Sequence, residues 1–221
     1  MIGSLQAGLV GSGALFVPTD LGSLGALYEG PGIVHSGASA SAWNDSSGSA
    51  RHLVTGGGGT YVANAGAGLP GIAFAGTYFH SGPSITNRSF FAVFSVPAGN
   101  ATIACMCGAG RIYGGLTAAN MMGVYASIFV GSGQTYSITT RHSIAVIQRA
   151  ANDMDFWLDG VKVNITTGTS LYPDTPLTMA CESAGNQLMY LTMEHMSICT
   201  TALSSVDVAK MLGYINRVYG V

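Results

Sequence analysis

Residues Met154–Ile165 read MDFWLDGVKVNI. Two apolar-rich runs, Met154–Leu158 and Val161–Ile165, flank the pair Asp159-Gly160. Asp-Gly between such runs predicts a two-residue hairpin turn, because glycine takes the positive φ that the turn requires. Working outward, Ser89–Val96 (SFFAVFSV) predicts a strand buried on both faces. Thr102–Met106, Gly123–Val130 and Ser143–Arg149 read similarly, and Leu177–Cys181 and Leu188–Ile198 add further strands. Short apolar runs separated by turn residues from about residue 24 to 200 predict an all-β chain folded as an antiparallel β-sandwich.

The two ends differ from this body. Residues 1–23 predict an extended N-terminal arm, since Gly8, Gly11, Gly13 and Pro18 deny it a long helix. Residues 24–221 form the sandwich domain. Within it Val208, Met211, Leu212, Ile215, Val218 and Tyr219 recur at three- and four-residue steps, which predicts one short C-terminal α-helix over 204–219. Ser204 or Ser205 caps it, Asp207 suits its N-terminal dipole, and Gly220 ends it. Its expected place is the edge of the sandwich.

Charge is scarce. Eight Lys/Arg and ten Asp/Glu make 8% of 221 residues, where roughly 25% is usual. A folded monomer of 22.6 kDa exposes on the order of 9,500 Å², so charges stand roughly one per 500 Å² of it. Hydrophobic residues reach 48%, which excludes a disordered chain. A net charge of -2 argues against an electrostatic grip on nucleic acid or an anionic membrane. The uncharged segments 1–19 and 112–140 are broken by glycine and polar residues, so no membrane insertion is expected. Either Ser, Thr and Gly cover the surface, or much of it is buried against copies of the chain or other proteins. No basic region follows Met1 and no small-x-small pattern closes an apolar run, so no signal peptide is expected.

Five segments carry a family resemblance. Trp43–Leu53 (WNDSSGSARHL) resembles the W-x-D-x-S-G-x-x-x-H segment of concanavalin A-like, laminin-G-like jelly-roll domains. Leu69–Gly76 (LPGIAFAG) resembles their G-x-P-x-x-x-F-D-G strand, and Phe90–Phe94 (FFAVF) resembles the next strand. Phe156–Val161 (FWLDGV) resembles the late D-G hairpin, and Gly213–Gly220 (GYINRVYG) the terminal helix. Order and spacing agree over about residues 27–221. Two departures are Ala75, where the family often has Asp, and Asp207, shifted from the usual acidic position. The resemblance implies a concanavalin A-like jelly roll, and such domains are frequent in tailed-phage virion proteins and bacterial surface proteins. The motif residues Trp43, Asp45, Ser46, Gly48, His52, Phe74, Gly76, Asp159 and Gly160 then have structural roles. Trp43 packs under the loop, Asp45 and Ser46 accept turn amides, and Gly48 adopts positive φ.

Catalytic chemistry is not visible. Glucanases of this fold carry E-x-D-x-E on one strand, and the nearest run is Asn152-Asp153-Met154-Asp155. A retaining glycosidase needs two carboxyls ~5 Å apart, and Glu182 and Glu194 are isolated. His35, His52, His80, His142 and His195 lack ligand spacing, and no Gly-x-Ser-x-Gly elbow is present. Asn152, Asp153 and Asp155 offer oxygens suited to calcium, but calcium takes about six to eight and few are visible. No other cofactor is implied. Cys105, Cys107, Cys181 and Cys199 read as buried thiols, with a disulfide to Cys181 or Cys199 as the alternative in an oxidising compartment. Gly66-x-Gly68-x-x-Gly71 lacks the strand-to-helix context of a dinucleotide site, and Gly56–Gly59 reads as a flexible tip.

Two functional expectations follow. The first is a non-enzymatic structural protein of a bacteriophage virion, made in the host cytoplasm. As a capsid decoration protein it packs on other virion proteins and copies of itself. The alternative is a carbohydrate-binding, lectin-like adhesin that touches host surface glycans. Tyr61, Tyr78 and Tyr113 are then the first candidate sugar contacts, with Tyr125, Tyr136 and Tyr172 as further aromatics.

Overall fold

The computed structural model describes residues 15–97, 104–107, 112–114, 121–126, 128–166, 175–181, 188 and 190–221. The strands are β1 (Leu24–Glu29), β2 (Ile33–Ser36), β3 (Ser39–Trp43), β4 (Leu53–Gly66), β5 (Leu69–Phe74), β6 (Phe79–Ile85), β7 (Ser89–Ser95) and β8 (Ala104–Cys107). They continue as β9 (Ile112–Gly114), β10 (Met121–Ala126), β11 (Ile128–Thr135), β12 (Arg141–Ala150), β13 (Asp153–Leu158), β14 (Val161–Ile165), β15 (Thr175–Met179) and β16 (Leu191–Cys199). Helix α1 (Ser205–Tyr219) closes the chain. The ladder runs β11-β10-β9-β8-β15-β6-β4-β5-β16-β7-β12-β13-β14, with β1 beside β16 and β2-β3 beside β4. Strand β5 pairs with β4 on one side and β16 on the other, which carries the ladder from one layer into the next. The result is the expected all-β antiparallel sandwich with one C-terminal helix.

Alternation along the strands builds the core. In β7, Phe90, Ala92 and Phe94 face inward; in β12 and β13, Ile144, Val146, Met154, Phe156 and Leu158 do so. They meet Leu53, Ile72, Phe74 and Phe79 from the other layer. The opposite face of β7 and β12 is also apolar: Phe91, Val93, Ala145 and Ile147 pack with Val208, Met211, Ile215 and Tyr219 of α1. The helix therefore lies over a sheet face and not at the edge, because an apolar outer face must be covered. Fully buried Met211 and Ile215 contribute roughly 1.5–3 kcal/mol each. Ser204 is the N-cap, with Oγ accepting from the Asp207 amide at 3.2 Å, and Gly220 at φ 69° ends the helix. Among the described residues no helix is long and apolar enough to cross a membrane.

Three local expectations change. Gly123–Val130 is not one strand; it belongs to β10 and β11, which pair with Ala126 opposite Ile128. Gly56–Gly59 lies inside β4 and is not a tip: the Tyr78 ring occupies the space a Cβ on residue 56 would need, and Ile72 Cγ2 lies 2.6 Å from that of residue 59. Residues 15–23, the end of the expected arm, include a 3-10 turn at Pro18–Asp20, and Phe16 and Leu21 pack on the helix-side core. Arg217 Nη2 donates to the Phe16 carbonyl at 2.8 Å. Residues 1–14 lie outside the described residues.

The segment between β3 and β4 is held by one carboxylate. Asp45 Oδ1 accepts from the amides of Leu27 (2.9 Å) and Ser47 (2.8 Å). Its Oδ2 accepts from the Arg51 amide (3.0 Å) and Ser47 Oγ (2.9 Å). The Asp45 amide donates to His52 Nδ1 at 3.1 Å, and Gly48 has φ 85°. Beneath, Trp43 is fully buried edge-on to Tyr28 and donates Nε1–H to the Glu29 carbonyl at 2.7 Å. The role expected of Ser46 falls instead to Ser47, whose Oγ accepts from the Ser49 amide; Ser46 is exposed and uses its own amide on the Leu27 carbonyl. Phe74 is buried edge-on to Phe79, and Gly76 has φ 72° beside Tyr190. Asp45→Ala should cost at least about 2 kcal/mol, since the buried Leu27 amide loses its acceptor. Ser46→Ala should stay within about 0.5 kcal/mol. Urea unfolding of the two variants checks this, and equal losses would contradict the assignment.

Candidate functional site

The hairpin β13–β14 brings charged, amide and aromatic side chains together beside α1. Asp159 (φ 50°) and Gly160 (φ 76°) make its two-residue turn. That turn fixes the register: Trp157 stands opposite Lys162, and Asp155 opposite Asn164. Because Phe156 and Leu158 point inward, Asp155 and Trp157 point outward, beside α1. Trp157 is half-buried, and Lys162 Nζ lies 5.1 Å from its ring centroid.

Asp155 is 1% exposed, yet it is surrounded by donors. Lys162 Nζ lies 2.8 Å from its Oδ2, Asn164 Nδ2 donates to its Oδ1 at 2.9 Å, and Arg149 Nη2 donates to Oδ2. Arg149 also reaches Asp153 at 3.1 Å. Burial works against the ionised form of Asp155, but its bonds from Arg149, Lys162 and Asn164 outweigh this and hold its pKa below the usual range. The same bond to Asp155 raises the pKa of Arg149. The carboxylates once considered for calcium are thus committed to cationic and amide donors. Among the described residues no group of three His, Cys, Asp or Glu side chains is placed to hold a metal.

A cleft of about 150 Å³ opens here, lined by Arg149, Trp157, Lys162, Leu203, Val208 and Leu212 among others. Drug-sized pockets start at about 300 Å³; this one suits a single small ring. A wider, open cleft of about 540 Å³ adjoins it at Leu212 and is lined by Ser143, Asp159, Gly160, Gly213, Asn216 and Arg217. Gly213 sits in mid-helix, where glycine costs roughly 1 kcal/mol relative to alanine.

The other polar clusters among the described residues are engaged in buried contacts. Under α1, His195 Nε2 lies 3.1 Å from Ser197 Oγ, and His195 Nδ1 lies 3.7 Å from Glu29 Oε1. The trio has the order of a hydrolytic triad, but Ser197 and His195 are fully buried beneath the helix. Tyr214 donates to Glu29, and Tyr219 Oη lies 3.3 Å from His195 Nδ1. Burial opposes ionisation of Glu29, but His195 and Tyr214 overcome it and lower its pKa. Glu194 is fully buried and receives both Arg141 Nε and Nη2 at 2.8 Å, a bidentate pair. Cys107, Cys181 and Cys199 are buried, and burial pushes the Cys199 thiol up to about 11, away from nucleophilic use. Gly66 and Leu69 pair across Ala67-Gly68, so the glycine pattern there is a hairpin turn and not a helix start.

Among the described residues the predicted tyrosines do not assemble into one platform. Tyr61 pairs with inward Ile72, is half-buried against the core, and stacks on His35 at 3.6 Å. Tyr78 precedes inward Phe79 and lies over Gly56 on the other face. Tyr136 is buried. The side chains of Tyr113 and Tyr125, and the whole of Tyr172 and Glu182, lie outside the described residues. Trp157 stands in the sequence as a strand residue, but counting outward from Asp159-Gly160 places Lys162 and Asn164 beside Trp157 and Asp155.

No protein-family model and no curated protein sequence matches the chain. Solved structures do share its fold. Domain 4 of AbnA, a GH43 extracellular arabinanase from Geobacillus stearothermophilus, in complex with arabinotriose, superposes with a TM-score of 0.63 at 13% identity, over 86% of this chain and 98% of that one. The binding domain of Paraclostridial Mosquitocidal Protein 1 gives 0.59 at 16%, over 90% of this chain and 53% of that one. Trypanosoma rangeli sialidase gives 0.54 at 12%, over 84% of this chain and 32% of that one. At these identities the likeness is one of fold: a β-sandwich similar to domains found in glycosidases and in a toxin's binding region.

The wider cleft borders a titratable pair. His142 is buried; its Nδ1 lies 2.6 Å from Asp159 Oδ2 and its Nε2 2.7 Å from the Ser137 carbonyl. Both ring nitrogens face acceptors, which calls for the doubly protonated ring. Burial lowers the His142 pKa, but the bonds to Asp159 and Ser137 outweigh it and leave the pKa raised from 6.5. A raised folded-state pKa stabilises fully below the unfolded value of about 6.5, and that contribution is lost as pH rises through the folded value. The urea midpoint of the native chain should therefore fall as pH rises above about 6.5, and His142→Gln should flatten that fall. Parallel pH profiles for the two proteins would refute the pairing.

Proposed function

We propose that this chain is a non-catalytic carbohydrate-binding module. The observation that carries this is the cleft at Trp157: a half-buried indole with the Lys162 ammonium over its ring, beside exposed Arg149, with an apolar wall from α1. Sugars offer an apolar ring face for stacking and hydroxyls for charged and amide groups, and this surface supplies both. The fold likeness to the AbnA domain that holds arabinotriose, and to a toxin's binding domain, supports the same reading. It favours the lectin-like alternative over capsid decoration, which rests on the sequence resemblance and the scarcity of charge. The non-catalytic part is supported by the Glu29, Glu194, His142 and His195 side chains, all engaged in structural pairs.

A printed glycan array is the first test, with arabinotriose titrated in parallel. The folded chain should bind at least one saccharide class, and Trp157→Ala should weaken that binding at least tenfold, about 1.4 kcal/mol. Trp157→Phe should recover part of the loss. A folded chain that binds no glycan on the array overturns the proposal.

A further inference from the structure

We infer that the glycan held at Trp157 is a linear, uncharged oligosaccharide that runs along α1 and across Gly213; this rests on the carbohydrate-binding reading above. The two clefts are separate, but both are lined by Leu212 and they follow one another along α1, one at residues 205–212 and the other at 212–217; a ligand that spans both defines the proposed groove. From Ser205 to Asn216 the helix rises about 16 Å, longer than one sugar ring can fill. The groove therefore fits a chain end to end, with Trp157 under one unit and the next unit over Gly213.

Gly213 is the independent observation. It weakens the helix, and no described part of the protein requires it: a Cβ built there meets no described atom within 4 Å. Its φ is not in the left-handed region, so conformation does not demand glycine either. What glycine does provide is a flat patch of bare helix backbone in the floor of the groove, beside Asn216 and Asp159. A ring that packs against backbone needs that space. The charge pattern sets the ligand class. Arg149, Lys162 and Arg217 in the linings face Asp155 and Asp159 there, and Asp153 outside the clefts pairs with Arg149, so donors are plentiful while the net field is small. That suits hydroxyls over carboxylate or sulfate sugars.

The test uses the full chain, an array spanning mono- to hexasaccharides, and a chain-length series of the best uncharged glycan found there. Wild type should bind the trisaccharide at least tenfold more tightly than its monosaccharide, with little dependence on salt. Gly213→Ala should raise the thermal midpoint yet weaken trisaccharide binding several-fold, and Gly213→Gln should abolish the gain with chain length. Equal affinity for mono- and trisaccharide, wild-type trisaccharide binding by the Gly213 variants, or an array response confined to anionic glycans would overturn the inference while leaving the binding module intact. Absence of any glycan binding would overturn both.

Discussion

An apolar outer sheet face organises this molecule. Phe91, Val93, Ala145 and Ile147 would meet water if β7 and β12 were covered on one side only, and α1 exists in this position to cover them. Much follows from that coverage. The chain before β1 folds back so that Phe16 and Leu21 extend the same apolar cluster. The polar groups trapped at its margin, Glu29, His195, Ser197, Tyr214 and Tyr219, must satisfy one another, which they do through the contacts described above. The long side of the helix leaves a groove against β13 and β14, and the only half-buried tryptophan stands in it. Site and core are thus two edges of one packing solution.

Charge follows the same division. Every charged residue located in a strand of the described structure belongs to β1, β12, β13, β14 or β16, the layer that carries the helix. The strands of the opposite layer, including all of β4, carry none. The scarcity first seen in the composition is therefore uneven: charges gather where the helix meets the sheet, and most of them there are paired. Such pairs act more by orienting Trp157, Arg149 and Lys162 than by adding stability, since half-exposed ion pairs contribute little.

The sequence disclosed what depends on near neighbours. Burial of Ser89–Val96 on both faces, the Asp159-Gly160 turn, the stripe of α1 and its caps all rest on residues a few positions apart. What it hid depends on distant partners. Nothing in Val208–Tyr219 says whether the stripe seeks an edge or a face. Glycines 56–59 resemble a loop because the ring that fills their space, Tyr78, comes from another strand. Tyr61 and Tyr78 look equivalent in sequence, and only the pairing of β4 with β5 and β6 sends them to different faces. Arg149 reaches Asp155 across the β12–β13 pair, which the turn alone does not specify.

The glycine inside β4 has one more effect. A charge-free strand of this length could slide against its neighbour with little electrostatic objection, and a two-residue slip preserves which face each side chain takes. The Tyr78 ring opposes this slip in one direction, because it occupies the space of a Cβ at residue 56. A slip that seats Val54 beneath it meets a branched side chain. Gly56 and Tyr78 thus work as a key and its slot, and the correct pairing is recognised by shape in a layer that has no charge with which to recognise it.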